Sequence, residues 1–380
     1  MINRERLAET FKFLVEIDSV SKNEKAVCHE IKKIFDSMGA ETILDHAGEK
    51  VGSNTGNLIT RFEGNTEAPP LLLSAHMDTV GPGTGIKAVF KNGVFTSDGT
   101  TILGADDKSA IAIYIEIMRI LQENKLPHGP IEFVFTICEE IGLLGAKNLD
   151  MGLITAKYGY VLDTENTEGI VTRAPAANSL EFKIHGREAH AGAFPEKGIN
   201  AILLASKAMA GLELGRIDNE TTCNIGMIKG GIATNIVPNL VKIKGEARSL
   251  DPEKLTRVTN TIVKSFKDVV ETYPRSSAED LPRLETRINK DFSGTDIPED
   301  HPVVTLAQKA AVNLGRKMAV TTSGGGSDAN IFFEKGIITG VIGTGMHNVH
   351  TVRESIRLDD MVYTSELLLE IIRLSHLEPV

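Results

Sequence analysis

The sequence predicts an α/β protein: a mixed, mostly parallel sheet sandwiched by helices, with a smaller α+β domain inserted into it. Three observations predict this. The runs at 71–73 (LLL) and 131–137 (IEFVFTI) are apolar without a break, as in strands buried on both faces. They alternate with stretches whose apolar residues recur at helical spacing, which makes neighbouring strands parallel through helical crossovers. Between 176 and 292 the pattern changes, and SLEFKIHG at 179–186 alternates strictly, the mark of an antiparallel strand with one face exposed.

The bulk properties bound the answer further. A chain of 380 residues accommodates two or three domains, and 41% hydrophobic residues can fill sizeable cores. A net charge of −10 argues against nucleic-acid binding and against docking on an anionic membrane. It leaves room for a local basic pocket. Cys28, Cys138 and Cys223 are far apart and form no CxxC, which reads as a reduced, cytoplasmic protein with buried thiols. MINRERLAET opens an amphipathic helix rather than a signal peptide, and no run of eighteen apolar residues predicts a membrane span.

Taken in order, helices are expected over 4–16 and 24–39. Leu7, Phe11, Leu14 and Val15 line one, and Val27, Ile31 and Phe35 the other. Ser21 is the expected cap of the second helix and Gly39 its stop. Strands follow near 41–45 and 56–62, then LLLSAHMDTV, broken by Gly81-Pro82-Gly83. Residues 87–98 read as a hairpin turned at Asn92-Gly93. GTTILGADDK leads into a helix over 107–123; strands follow at 131–137 and 158–165. The change of pattern at Ala174-Pro175 opens a strand at 179–186, a helix at 198–213, strands at 222–228 and 240–248, a helix at 251–273 and a strand at 283–290. The order βαββαβ is a split-βαβ, ferredoxin-like arrangement, with helices on one face only. The predicted domains are 1–175 with 293–380, and an insert at 176–292. The main pattern resumes with a helix at 302–314, strands near 318–322 and 336–345, and a closing helix at 358–376. SGGGSDANIF is not a GxGxxG following the first strand of a βαβ unit, which argues against dinucleotide binding.

His76, Asp78, Asp106, Glu139, Glu140 and Asp163 all stand at strand ends of the larger domain. Several carboxylates beside apolar strands, with no cation, would raise one another's pKa values and weaken folding. A divalent metal pair resolves this, and histidine nitrogen with carboxylate oxygen suits zinc, with cobalt or manganese as substitutes. Four choices stay open at this level: Asp106 or Asp107, the order of Glu139 and Glu140, Asp163 or Glu165, and His350 or His347.

HMDTV, GADDK, EEIG, LD, REAHAG and HTVRE, in this order from 74 to 354, resemble the two-zinc metallopeptidase family of peptidase T, carboxypeptidase G and aminoacylase. SAHMDTV, SDGTTILGADDK and GGGSDANIF place the resemblance nearest the peptidase T-like branch. The resemblance implies a zinc-exopeptidase-like fold whose insert serves as lid and dimerisation domain. It implies that His76 and Asp163 bind one zinc, Glu140 and His350 the other, and that Asp106 bridges them. The spacing of His350 and Glu354 matches the family pattern. Asp78 would orient His76 through its second ring nitrogen. Glu139 would be the general base for attack by a zinc-bridging hydroxide. The adjacent glutamates have different tasks, so they must lie on a turn, since a regular strand would face them oppositely.

His190 is the implied oxyanion partner, reaching the site from the neighbouring subunit of a homodimer. Asn235, Arg248, Gly325 and Ser327 resemble the family's substrate contacts, which implies a short peptide with a free carboxylate. The implied activity is tripeptide-type aminopeptidase hydrolysis with two zinc ions per subunit. A carboxypeptidase or N-acyl amino acid amidohydrolase would use the same site, and a silent metal- or peptide-binding paralogue is the alternative of another class. A binder needs ligands but no general base, so the presence of Glu139 argues against it.

Overall fold

The computed structural model describes residues 2–274 and 280–377, in two compact units. The first comprises the chain up to Arg173, Asp296–Ser323 and the chain from Ser327 onward. Its main sheet runs, in spatial order, through Glu41–Leu44, Leu58–Phe62, Ile131–Thr136, Leu71–His76, Tyr158–Val161, Ile338–Ile342 and Gly169–Ala174. The four strands from Ile131–Thr136 to Ile338–Ile342 are mutually parallel. Antiparallel partners flank them on both sides. This is the mixed, mostly parallel sheet that the unbroken apolar runs predict.

Successive residues of the central strand enter different cores. Leu71, Leu73 and Ala75 pack with Phe11, Ile111 and Phe133, while Leu72 packs with Val134, Val161 and Phe332. Both faces are covered, so both alternations are apolar. The register places His76 opposite Thr136 and Ser74 opposite Val161. Three chain segments therefore leave the sheet side by side at one edge, where open α/β sheets place their ligands. They carry His76 to Asp78, Ile137 to Glu140, and Leu162 with Asp163.

The helix Ala105–Glu123 is buried for most of its length. Asp106 and Asp107 depart from helical geometry, so regular helix begins after them. Val89–Lys91 and Val94–Thr96 form the expected hairpin. Asn92 and Gly93 both have positive φ, +52° and +78°, as a type I′ turn requires.

Several details differ from expectation. Ser21 does not cap the second helix, which starts at Lys25 after Glu24; its hydroxyl donates to Asp78 instead. The short helix Ala47–Val51 and the strand Gly169–Ala174 had no distinct signal. Five residues are too few for periodicity, and GIVTRA directly precedes the boundary where one pattern gives way to another.

The second unit, Ala174–Thr295 with Gly324–Gly326, contains strands Ala176–His185, Thr221–Gly230, Leu240–Ser249 and Arg283–Phe292, and helices Ala201–Ala210 and Pro252–Glu271. A two-residue strand, Gly215–Arg216, pairs at the edge. Every neighbouring pair is antiparallel. Leu180, Phe182 and Ile184 point into one core with Leu204, Ile262 and Phe266, and the Phe182 and Phe266 rings stack at 4.1 Å. The long helix opens with Pro252 and is capped by Asp251, whose carboxylate accepts from the Glu253 and Lys254 amides. Among the described residues, no helix is long and apolar enough to cross a membrane.

Candidate metal centre

At the sheet edge of the first unit, two histidines converge on one carboxylate. His76 Nε2 lies 2.9 Å from Asp106 Oδ1, and His350 Nε2 lies 3.3 Å from Asp106 Oδ2. The same His350 nitrogen is 3.0 Å from Glu140 Oε2. His76, Asp106 and Glu140 each offer a donor atom within 4.8 Å of the others. Asp163 is half-buried beside them, close enough for its charge to act on Glu139 and Asp107. Glu139 and Glu140 sit on a turn after the Ile131–Thr136 strand, which begins at Cys138 with φ +53°. Side chains one residue apart therefore need not face opposite ways.

The rival donors are accounted for elsewhere. His347 pairs with Glu165, so those two contact each other. Asp107 accepts the His76 backbone N–H through Oδ2 at 3.3 Å, and its Oδ1 has no hydrogen-bond partner.

Behind the donors stands a set of buried carboxylates that hold backbone. Asp78 Oδ1 accepts the Glu139 N–H at 2.9 Å and Oδ2 the Glu140 N–H at 3.3 Å, with Ser21 Oγ donating to Oδ2 at 2.6 Å. This refines the expectation for Asp78. The nearest partner of His76 Nδ1 is the Asp78 backbone carbonyl at 2.9 Å, whereas the carboxylate stands at 3.5 Å. The carboxylate is turned toward three other donors, so it shapes the glutamate turn as much as the imidazole. Glu24 extends the pattern by accepting the Cys138 N–H at 3.0 Å. Glu354 accepts the N–H groups of Leu103, Gly104 and Asp106. Asp328 Oδ2 accepts from the Thr136 hydroxyl, and its Oδ1 is buried without a partner. Sequence reasoning assigned no role to Glu24, Glu354 or Asp328, and did not foresee the Ser21 contact. Glu354 and Asp328 lie inside the HTVRE and GGGSDANIF motifs, the one signal that could have pointed to them.

The electrostatics suit a cation. Burial pushes the carboxyls of Glu139 and Asp163 well above their ordinary range. Burial also raises Glu140, and takes Asp328 to about 6. Burial alone would raise Asp106, but its hydrogen bonds to His350 and His76 outweigh this and hold it well below the usual range. His350 is pushed up to about 10 by Asp106 and Glu140. Two imidazoles and several carboxylates, some too crowded to ionise together, are a donor set that fits divalent metal.

The remaining predicted residues fall outside this cluster. Ser327 is buried at the start of helix Asp328–Glu334, and its N–H donates to Asn330 Oδ1 at 3.0 Å. Gly325 belongs to the second unit, as do His190, Asn235 and Arg248. There, His190 Nδ1 accepts the N–H groups of Gly192 and Ala193 at 3.2 and 3.1 Å, which leaves the proton on Nε2. The Ala191 N–H donates to the Asn235 carbonyl at 2.8 Å, so His190 and Asn235 lie on adjoining segments. Arg248 Nη2 is 3.0 Å from Glu246 Oε2.

A doubly covered parallel sheet, with histidines and carboxylates gathered at one edge beside a second glutamate, is the architecture of a metal-dependent peptidase. Residues 72–374 match the peptidase family M20/M25/M40, and the chain belongs to that family. Its relatives include aminopeptidase PepT from Bacillus cereus, 41% identical over 98% of both chains with a TM-score of 0.87. A tripeptidase structure from Staphylococcus aureus is 36% identical over the full length of both chains, with a TM-score of 0.91. The uncharacterized protein YqjE of Bacillus subtilis is 42% identical, covering 98% of this chain and 99% of its own.

Proposed function

We propose that this enzyme is an aminopeptidase acting on short peptides, of the tripeptidase type, with two divalent ions, zinc foremost, in each subunit. The observation that carries the catalytic reading is the adjacency of Glu139 to the His76–Asp106–Glu140–His350 cluster. The substrate class rests on likeness to a tripeptidase and an aminopeptidase that match this chain over nearly its whole length.

His76 and Asp163 would hold one ion and Glu140 and His350 the other, with Asp106 shared between them. Five donors exceed what a single tetrahedral ion accepts, and a shared carboxylate suits a pair. Bound there, the ions would polarise the scissile carbonyl and acidify the attacking water. Glu139 would take a proton from the attacking water and deliver it to the leaving amine. His190, with its proton on Nε2, offers the donor an oxyanion needs, and we place it in the site of a partner subunit of a homodimer. Asn235, Arg248, Gly325 and Ser327 are the proposed anchors of the peptide and its free carboxylate.

One assay tests the polarity of cleavage. Zinc-loaded protein is incubated with a tripeptide, its N-acetylated form and its C-amidated form. Loss of cleavage on N-acetylation supports the aminopeptidase. Cleavage that survives N-acetylation but fails on C-amidation would instead identify a carboxypeptidase or an amidohydrolase. Two bound ions with no cleavage of any substrate would identify a silent binder. The dimer is tested by mixing His190→Ala with His76→Ala protein. Recovered activity is expected, and its absence in proven mixed dimers would place His190 outside the partner's site.

A further inference from the structure

Glu354 is 1% exposed and forms no contact with a histidine or with any other carboxylate of the centre among the hydrogen bonds and ion pairs described. Its two oxygens are given over to backbone. Oε2 accepts the N–H groups of Leu103 and Gly104 at 2.7 and 2.8 Å, and Oε1 accepts the Asp106 N–H at 3.0 Å. Those amides form the loop that presents Asp106. The glutamate itself closes the loop that presents His350, its own N–H donating to the Thr351 carbonyl at 3.1 Å. Two loops about 250 residues apart in sequence are thus joined by one carboxylate. Each carries a donor to the same proposed ion position, and Asp106 Oδ2 and His350 Nε2 end 3.3 Å apart.

We infer that Glu354 is a positioning residue that sets the spacing of Asp106 and His350, and so governs occupancy of the ion position they share with Glu140. The inference rests on the metal-centre reading above. Three N–H donors converge on an anion, and a carboxylate is acceptor-only where an amide is not. In Glu354→Gln, an NH2 group would oppose either the Asp106 amide or the Leu103–Gly104 pair. One loop would be released from the other while side-chain volume is kept. The His76–Asp163 position has no donor on the 350–354 loop and depends on Glu354 only through Asp106, so the two positions should respond unequally.

The test uses the full chain, stripped of metal and titrated with Co2+ by visible absorption and with Zn2+ by atomic emission. Circular dichroism and thermal melting of the metal-free protein run alongside. Wild type is expected to take two ions. Glu354→Gln should take the first with at most a few-fold loss of affinity and the second about 10- to 100-fold more weakly, the range that outer partners of metal ligands command. Turnover lost at low metal should return at high metal, and Glu354→Asp should recover part of the second affinity. Should Glu354→Gln fail to fold, the ratio of the two affinities in Glu354→Asp carries the decision. Equal affinities to wild type, or equal weakening at both positions, would overturn the inference while leaving the metal centre in place. Fewer than two ions on wild type would overturn the two-ion reading itself, and this inference with it.

Discussion

The two histidines of the centre are held in opposite ways. His76 is 2% exposed and ends a strand buried on both faces. Its Nδ1 meets the Asp78 carbonyl, its Nε2 meets Asp106, and its own N–H is taken by Asp107. His350 has a side chain 51% exposed and sits in a loop at φ +62°, a backbone state uncommon outside glycine. Its geometry depends on Asp106, Glu140 and the loop behind it. One side of the centre is therefore fixed by the sheet, and the other is assembled from a loop that must be held in place. An ion on the His350 side should exchange faster and bind more weakly than one on the His76 side.

The largest expected effect tests the element common to both sides. Glu139→Gln should lower turnover by about 100- to 10,000-fold, the usual worth of a general acid–base, while both ions stay bound. Loss of an ion instead would mean that Glu139 and Glu140 have exchanged roles. Next comes the pair of histidine variants, compared by metal stoichiometry. His350→Ala should retain one tightly held ion, whereas His76→Ala should weaken the buried position and lower the melting temperature of the metal-free protein as well. Equal behaviour of the two variants would abolish the distinction between a fixed and an assembled side.

A pH series gives a smaller, graded effect. Without metal, Glu139, Asp163 and Glu140 have carboxyl pKa values raised by burial. A raised carboxyl favours the folded metal-free state at low pH, and that advantage is lost as pH climbs from the ordinary carboxylate range through the raised value. His76 and His350 are also raised, and must shed protons to become ligands. Both contributions have the same sign for metal binding, which releases protons and strengthens with pH. The rise in melting temperature on adding zinc should therefore be larger at pH 7.5 than at pH 5.5. A shift independent of pH would count against carboxylates and imidazoles as the donors.

The smallest effect concerns the fixed side alone. Ser21→Ala removes one donor to the buried Asp78 carboxylate and should cost about 1.5 kcal/mol of stability. Chemical denaturation would measure it. Because Asp78 retains the Glu139 and Glu140 amides, metal affinity should change little.

Much of this architecture was legible because it obeys short-range rules. Unbroken apolar runs marked strands covered on both faces, strict alternation marked the antiparallel insert, and Asn92-Gly93 marked a hairpin of the larger unit. His76, Glu140 and Asp163 were legible as a class, since polar residues directly after apolar strands emerge at a sheet edge, whereas Asp106, expected at a strand end, instead opens the helix Ala105–Glu123 after an irregular stretch. The partners of these donors were not legible. Asp106 and Asp107 are equivalent in sequence, and only the local departure from helical geometry at both residues turns one toward the histidines and the other toward the His76 amide. Glu24 lies 114 residues from the Cys138 amide it accepts, and Glu354 about 250 from its own. No periodicity encodes such pairs.

By itself, then, the sequence determined the fold class, the order of the elements and which residues reach the edge of the sheet, because burial and hydrogen-bonded geometry act over a few residues at a time. The tertiary structure alone decided which carboxylates face histidines and which face backbone amides. That choice depends on where distant segments meet, and a buried carboxylate takes whichever donors the fold brings within reach.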